Sequence, residues 1–311
     1  MHVVCGEALM DVFGAGETPT GALLNACVGG SPFNVAVGLA RLAQPVAFLG
    51  AVSTDFLGER LMKALAQEGV VTAAVVRTSA PTTLGLVGLD SHGVPTYSFY
   101  GAQGADRQLP REALVRIPAD ARVFHLGSYA TVVEPIASTL RALVEAEHGR
   151  SLIAYDPNIR LNVEPDLARW RETLQWMLTR THLLKVSEED LALLFPGDAV
   201  EALAAQWLRY GVRMVVVTRG ARGAVAWNAR GSVEVPTVPL PVVDTVGAGD
   251  TVQAALLTWL AENDCQRPAA IGELDSARLF AAVQFATQAA AITCSRQGAD
   301  LPRRSELPGR C

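Results

Sequence analysis

Asp250 closes the run Asp244-Thr245-Val246-Gly247-Ala248-Gly249-Asp250, and the helical pattern Thr251–Glu262 follows at once. Two glycines at a helix start leave its first N–H groups bare. With the positive end of the helix dipole, those groups make an anion site. A carboxylate beside an anion site is costly unless it is used. Asp250 therefore reads as a base aimed at a group about to meet a phosphate; the plainer reading is that it only complements the helix N-terminus. The run is not a dinucleotide fingerprint, because no third glycine follows at the required spacing and the run lies late in the chain.

Five weaker clusters accompany it. Gly29-Gly30-Ser31-Pro32-Phe33-Asn34 leads into Val35–Leu42. Ser31 is the expected N-cap, with Pro32 at the first helical position. The glycines let backbone approach a ligand, and Asn34 offers a donor and an acceptor, although a plain helix start explains the same residues. Glu7-Ala8-Leu9-Met10-Asp11 ends the first strand. An ionised Asp11 only accepts hydrogen bonds, which suits the vicinal hydroxyls of a sugar. Asp156-Pro157-Asn158-Ile159-Arg160, Lys185-Val186-Ser187-Glu188-Glu189 and Thr218-Arg219-Gly220-Ala221-Arg222-Gly223 each follow an apolar run. Singly they read as turns or caps. Together all six lie at predicted carboxyl ends of strands, where open α/β sheets bind ligands.

The elements that must position them alternate. Val46–Ser53 precedes the amphipathic stretch Asp55–Glu68, and Val123–Gly127 precedes a helical pattern around Glu134–Glu147. Leu152–Tyr155, Leu183–Val186 and Met214–Thr218 are further compact apolar runs. This predicts an α/β fold, doubly wound, with a mostly parallel sheet covered by helices on both faces. Two stretches break the alternation. Ala8–Val28 reads as two strands around a Gly/Thr/Pro loop, and Thr83–Tyr100 as a hairpin turning at Ser91–His92–Gly93. Four strands without helices must pack on something, as a surface flap or as a lid over the sheet's carboxyl edge. The expectation is a single domain over residues 1–311, with lid strands inserted at about 8–28 and 83–100.

Composition narrows the chemistry. Half of the 311 residues are hydrophobic and the net charge is −5, which argues against nucleic-acid or membrane-surface binding through bulk charge. Of 26 basic residues only Lys63 and Lys185 are lysines, and the G-x-x-x-x-G-K-[ST] loop is absent. The five cysteines and five histidines are scattered without metal-ligand spacing, so free thiols in a reducing, cytoplasmic setting are expected. No signal-peptide pattern opens the chain, and Leu279–Cys294 is too short and too polar to span a bilayer.

The early G-G-S-P-x-N and the late D-T-V-G-A-G-D together resemble the two signatures of the ribokinase-like (PfkB) carbohydrate kinases, and the likeness runs from Gly6 to about Pro302. G-E-A-L-M-D, D-P-N-x-R and K-V-S-E-E look most like the fructokinase branch. The resemblance implies ATP- and Mg²⁺-dependent phosphorylation of a small sugar, foremost D-fructose at its 6-hydroxyl. It makes Asp250 the base and Gly247, Ala248 and Gly249 the anion hole. Asp11, Gly29, Gly30 and Asn34 become sugar contacts, with Asn158 and Arg160 near sugar and phosphate. Lys185, Thr218, Gly220 and Gly223 would face the nucleotide phosphates, and Gln284 to Gln288 the adenine. Glu188 would help hold Mg²⁺ through water, and Asp244 a monovalent cation such as K⁺. A monomer or homodimer acting on small molecules is expected.

Two residues depart from the family pattern. Gly101 stands where the fructokinase branch often carries Arg, and Val252 where Phe is usual. The first weakens a charged substrate. The rivals are 2-keto-3-deoxygluconate kinase, ribokinase, a non-catalytic sugar- or nucleotide-binding protein and, less well matched, a nicotinamide dehydrogenase.

Overall fold

The computed structural model describes residues 1–89 and 95–309. The strands are β1 (His2–Cys5), β2 (Leu9–Thr18), β3 (Gly21–Gly29), β4 (Val46–Leu49), β5 (Ala51–Ser53), β6 (Val76–Thr78) and β7 (Leu84–Leu89). β8 (Pro95–Tyr100), β9 (Val123–Gly127), β10 (Leu152–Asp156), β11 (Leu183–Ser187), β12 (Met214–Thr218), β13 (Ala224–Asn228) and β14 (Gly231–Val235) complete them. The helices are α1 (Ser31–Arg41), α2 (Phe56–Gln67), α3 (Ile136–Glu147), α4 (Leu167–Leu178), α5 (Glu188–Leu194), α6 (Val200–Tyr210), α7 (Ala248–Glu262), α8 (Pro268–Gly272) and α9 (Ser276–Cys294).

The main sheet has eight strands in the order β14-β13-β12-β11-β10-β9-β1-β4. From β12 to β4 the pairing is parallel; β13 and β14 run antiparallel. Strand order reverses at β1, the place where a doubly wound sheet opens a crevice at its carboxyl edge. Side chains alternate between two helical layers. Val4, Phe48, Ala154 and Val216 join the core shared with α1, α2, α7 and α9. Val3, Cys5, Ile153, Tyr155 and Val215 join the one shared with α3, α4 and α6. Strands buried on both faces must be apolar throughout, which is why these runs read as compact blocks. α7 is buried from Asp250 through Leu260, and Val252 sits within its core.

The second sheet has the order β3-β2-β7-β8. Asp11 on β2 lies opposite Cys27 on β3 and Gly85 on β7. β2 leaves the carboxyl end of β1 after three residues, so this sheet is tethered at the edge where the polar clusters gather. The expected hairpin tip at Ser91–Gly93 lies outside the described residues. Among the described residues no helix is long and apolar enough to cross a membrane.

Three local expectations need correction. Val46–Ser53 is not one strand. It breaks at Gly50, where a side chain would meet the Gly6 carbonyl at 2.6 Å, and β5 pairs with β6 in a separate two-stranded sheet. α7 begins at Ala248, earlier than its apolar pattern shows, with Gly247 as N-cap in the left-handed region (φ 78°). Ser31 is not the N-cap of α1. Gly30 takes that place (φ 103°), and the Ser31 hydroxyl is used elsewhere.

Candidate active site

The Asp250 carboxylate is buried in the first turn of α7 and gripped from α1. Ser31 Oγ donates to Oδ1 at 2.6 Å, and Asn34 Nδ2 donates to Oδ2 at 2.9 Å. The N-terminal ends of two helices therefore meet at one carboxylate. Ala248 N–H donates to the Thr245 carbonyl and Thr251 N–H to that of Gly247. The amides of Gly249 and Asp250 find no backbone acceptor among the described residues. Such orphan donors at a helix start are what an anion takes.

Beneath this turn lies the buried pair of Lys185 Nζ and Asp156 Oδ2, 2.7 Å apart. A side chain on Gly249 would come within 2.9 Å of that ammonium, so glycine is what lets Lys185 underlie the anion site. Burial pushes Asp156 up to about 6 even though Lys185 pulls the other way. Removing one partner of such a pair strands a buried charge, at a cost of about 3–5 kcal/mol.

Asp11 is flanked by glycines for a steric reason. A Cβ on Gly29 would run into its carboxylate, and one on Gly85 would stand 2.9 Å from Oδ1. Burial pushes Asp11 up to about 6; Arg160 pulls it down and Asp250 pushes it further up. Glu7, at the end of β1, is fully buried and is pushed to about 8 by burial, despite a hydrogen bond from Ser128 and the charge of Arg160. Asp11, Glu7, Arg160 and Asp250 thus share one electrostatic neighbourhood. Gly30 must be glycine, since its backbone is left-handed and a Cβ would meet the Glu7 carbonyl at 2.8 Å. Asn158 is half-buried with φ 40°, on the turn leaving β10.

The base of the second sheet is tied to the core by Asp106. Its Oδ1 accepts from Thr83 Oγ1, just before β7, and its Oδ2 accepts from Tyr129 Oη at 2.9 Å. Phe99 of β8 sets its ring edge-on to Tyr129. A side chain on Gly101 or Gly104 would strike Thr83. The chain returning from β8 passes directly over Thr83.

The remaining residues lie along the same edge. Glu188, first residue of α5, pairs with Arg222 in the loop holding Gly220 and Gly223. Thr218 neighbours Ser187 across β11 and β12. A side chain on Gly223 would strike the Val235 carbonyl, so that glycine also serves packing. Asp244 Oδ1 accepts from Val246 N–H at 3.0 Å and Oδ2 from Gly298 N–H at 2.8 Å; its own N–H reaches the Cys294 carbonyl. Gln284 is exposed and Gln288 half-buried on α9. Among the described residues no hydrogen bond or ion pair joins Glu188, Thr218, Gly220, Gly223, Gln284 or Gln288 to Asp250.

Sequence reasoning missed three participants. Ser31 was read as a cap, because a hydroxyl that caps and one that binds a distant carboxylate look alike. Asp156 stood in a quoted cluster without a role, and only the adjacency of β10 and β11 pairs it with Lys185. Asp106 belongs to no cluster.

The doubly wound sheet, its small companion sheet and the glycine-rich helix start closed by a carboxylate make a ribokinase-like α/β protein. The pfkB family carbohydrate kinase pattern matches residues 1–306, and the chain belongs to that family. It is 33% identical over 279 residues to the fructokinase of Rhizobium leguminosarum bv. trifolii, covering 90% of this chain and 85% of that protein. Among solved structures, fructokinase from Xylella fastidiosa with bound ATP superposes with a TM-score of 0.86 at 28% identity, covering 98% of this chain and 94% of that one. Fructokinase from Vibrio cholerae O395, in a form with fructose, ADP and calcium ion bound, gives 0.80 at 26%, covering 96% and 94%.

Proposed function

We propose that this chain is a fructokinase, moving the γ-phosphoryl group of ATP to the 6-hydroxyl of D-fructose. The observation that carries the reading is the Asp250 carboxylate, fixed by Ser31 and Asn34 beside the free amides of a glycine-rich helix start. Pure binding has no use for a base there. The likeness to fructokinases over nine-tenths of the chain supports fructose among sugars.

In this mechanism Asp11 accepts hydrogen bonds from sugar hydroxyls in ground and transition state alike, with Asn34, Asn158, Arg160 and the Gly29–Gly30 backbone around the sugar. Asp250 takes the proton of the 6-hydroxyl as its oxygen bonds to phosphorus and the bond to ADP breaks. In a loose transition state that proton leaves late, so a carboxylate in the right place suffices. The Gly247–Gly249 turn and the Lys185 ammonium face the charge spread over the phosphoryl oxygens, which is the largest lever such a site has. This arrangement replaces a P-loop lysine.

The nucleotide lies along Thr218, Gly220 and Gly223, with its adenine toward Gln284 and Gln288. Mg²⁺ is ordinarily held by one or two carboxylates plus substrate phosphates, and Glu188 fits that part, with Arg222 sharing its carboxylate. Bound there, the metal supplies charge neutralisation on the phosphates. Asp244 has two lone-pair positions left after its two amide bonds, enough to serve K⁺. The small sheet acts as a lid that excludes water and so prevents ATP hydrolysis.

A coupled ADP-release assay over free sugars tests the reading. Fructose should exceed 2-keto-3-deoxygluconate and fructose 1-phosphate in kcat/KM by at least tenfold, because no lid arginine is available for a charged group. A tenfold preference for either charged compound would overturn the assignment, and absence of sugar-dependent ADP release would overturn the kinase reading.

A further inference from the structure

A cavity of about 550 Å³ lies at the opposite end of the main sheet from Asp250. Its wall comes from the residues just before β10 and β12, the residue just after β13, the end of α6 and the start of α8. Five-residue strands put roughly 16 Å between the two edges. The floor is apolar: Leu208, Val212 and Pro268. The charges are guanidinium groups of Arg150, Arg213 and Arg267, with one carboxylate, Glu273.

These charges do not cancel. Glu273 is taken by Arg230 at 2.7 Å, and Arg150 is paired with Glu147. Neither Arg213 nor Arg267 has an ion-pair partner among the described residues. Burial and the charge of Arg213 together push neighbouring His182 down to about 4. On a chain of net charge −5, this is a locally positive hollow. Arg213 and Arg267 are both exposed to solvent, and two guanidinium groups free of an ion pair at one cavity offer an anion charged donors. A cavity in the size range of small-molecule sites, floored by aliphatic side chains, calls for more than an inorganic ion. A polyhydroxylated body would leave its hydroxyls unpartnered on that floor.

We propose that this cavity is a second ligand site, separate from the catalytic edge, for an amphipathic organic anion: a flat apolar body carrying one acidic head group. The body covers Leu208, Val212 and Pro268, and the head sits between Arg213 and Arg267.

The test uses 1-anilinonaphthalene-8-sulfonate as probe, with the catalytic site filled by fructose and a non-hydrolysable ATP analogue. The full chain should bind one equivalent saturably. Arg213→Ala/Arg267→Ala should weaken that binding at least tenfold while kcat and the fructose KM keep their starting values; Arg213→Lys should lose less. Three results would overturn the proposal: equal binding to the double variant, as expected if the dye covers exposed Leu23 and Leu24 instead; loss of saturable binding when fructose and the analogue fill the catalytic site; or competition by inorganic sulfate at the same concentration as the dye, which would leave the apolar floor without a role. Because the readout is binding, it stands or falls apart from the kinase activity.

Discussion

Ser31 Oγ lies 2.6 Å from Asp250 Oδ1, a hydrogen bond across 219 residues of chain that joins the first turns of α1 and α7. With Asn34 on the other oxygen, both carboxylate oxygens are held, and each keeps acceptor capacity to spare. Ser31→Ala frees one oxygen without touching the sugar contacts. It should lower kcat by about tenfold, about 1.4 kcal/mol, which is within the worth of a hydrogen bond to a charged group. The fructose KM should stay within about twofold. Asn34→Ala should move both parameters, since Asn34 is assigned to sugar as well. Steady-state kinetics of the pair check this; a Ser31→Ala enzyme with unchanged kcat would remove the hydroxyl from the mechanism.

The pH dependence of sugar binding follows from Asp11. Its carboxyl is raised to about 6, mainly by burial, and only the ionised form offers all its acceptors to hydroxyls. The ratio kcat/KM for fructose, which reports groups of the free enzyme, should therefore be level above pH 7 and fall as pH drops through 6. Asp156, also near 6, contributes to the same acid limb through Lys185. Asp11→Asn should raise the fructose KM strongly with a smaller effect on kcat, and leave KM flat between pH 5 and 7. A wild-type KM that does not change between pH 5 and 8 would contradict the assignment.

Much of this is legible in the sequence alone. Asp250 at a helix start follows from local sequence, because it sits where an apolar pattern changes; Asp11 does not end the first strand but lies inside β2, between Cys27 and Gly85. The double-wound sheet follows from apolar blocks short enough to be strands buried on both sides. What stayed hidden is non-local. The pairing of Lys185 with Asp156 depends on which strands are neighbours, and the grip of Ser31 on Asp250 depends on how α1 and α7 cross. Asp106 left no local trace at all, because a lone aspartate in a polar loop has no pattern to stand out from. Gly101 stands out in the sequence as a departure from the family pattern, but the Thr83 side chain beneath it does not.

Glu7 ties stability to pH in the opposite sense from a salt-bridged carboxylate. Its folded value is raised to about 8 against an ordinary 4.5, so the folded chain holds a proton that the unfolded chain releases. Stability from this group is full below about 4.5 and is lost as pH rises through 8. Thermal denaturation should show Tm falling between pH 5 and 9, with a shallower slope in Glu7→Gln, whose amide is neutral throughout. An identical slope in the variant would show that Glu7 is not the group responsible.

The base of the small sheet is tightly packed. A methyl group at Gly101 would strike Thr83, whose hydroxyl bonds Asp106. Gly101→Ala should destabilise by about 1–3 kcal/mol, the usual cost of overpacking, and should raise the fructose KM more than it lowers kcat. Gly14→Ala, in the same small sheet, adds a methyl that meets nothing within 4 Å and should change neither. Melting curves and sugar kinetics on the two variants separate a packed hinge from a general sensitivity of the sheet.

The base itself is tested by Asp250→Asn, which keeps the shape and one acceptor for Asn34, turns the other oxygen into an amide that Ser31 must accept from instead of donating to, and removes the group that takes the proton. The variant's Tm is measured first, since a carboxylate at a helix N-terminus contributes about 0.3–1 kcal/mol. The folded variant should lose roughly 10²–10⁴-fold in kcat for fructose phosphorylation, the span of a positioned acid–base group, while binding ATP with its affinity retained. A folded Asp250→Asn enzyme with near-native kcat would contradict the mechanism at its centre.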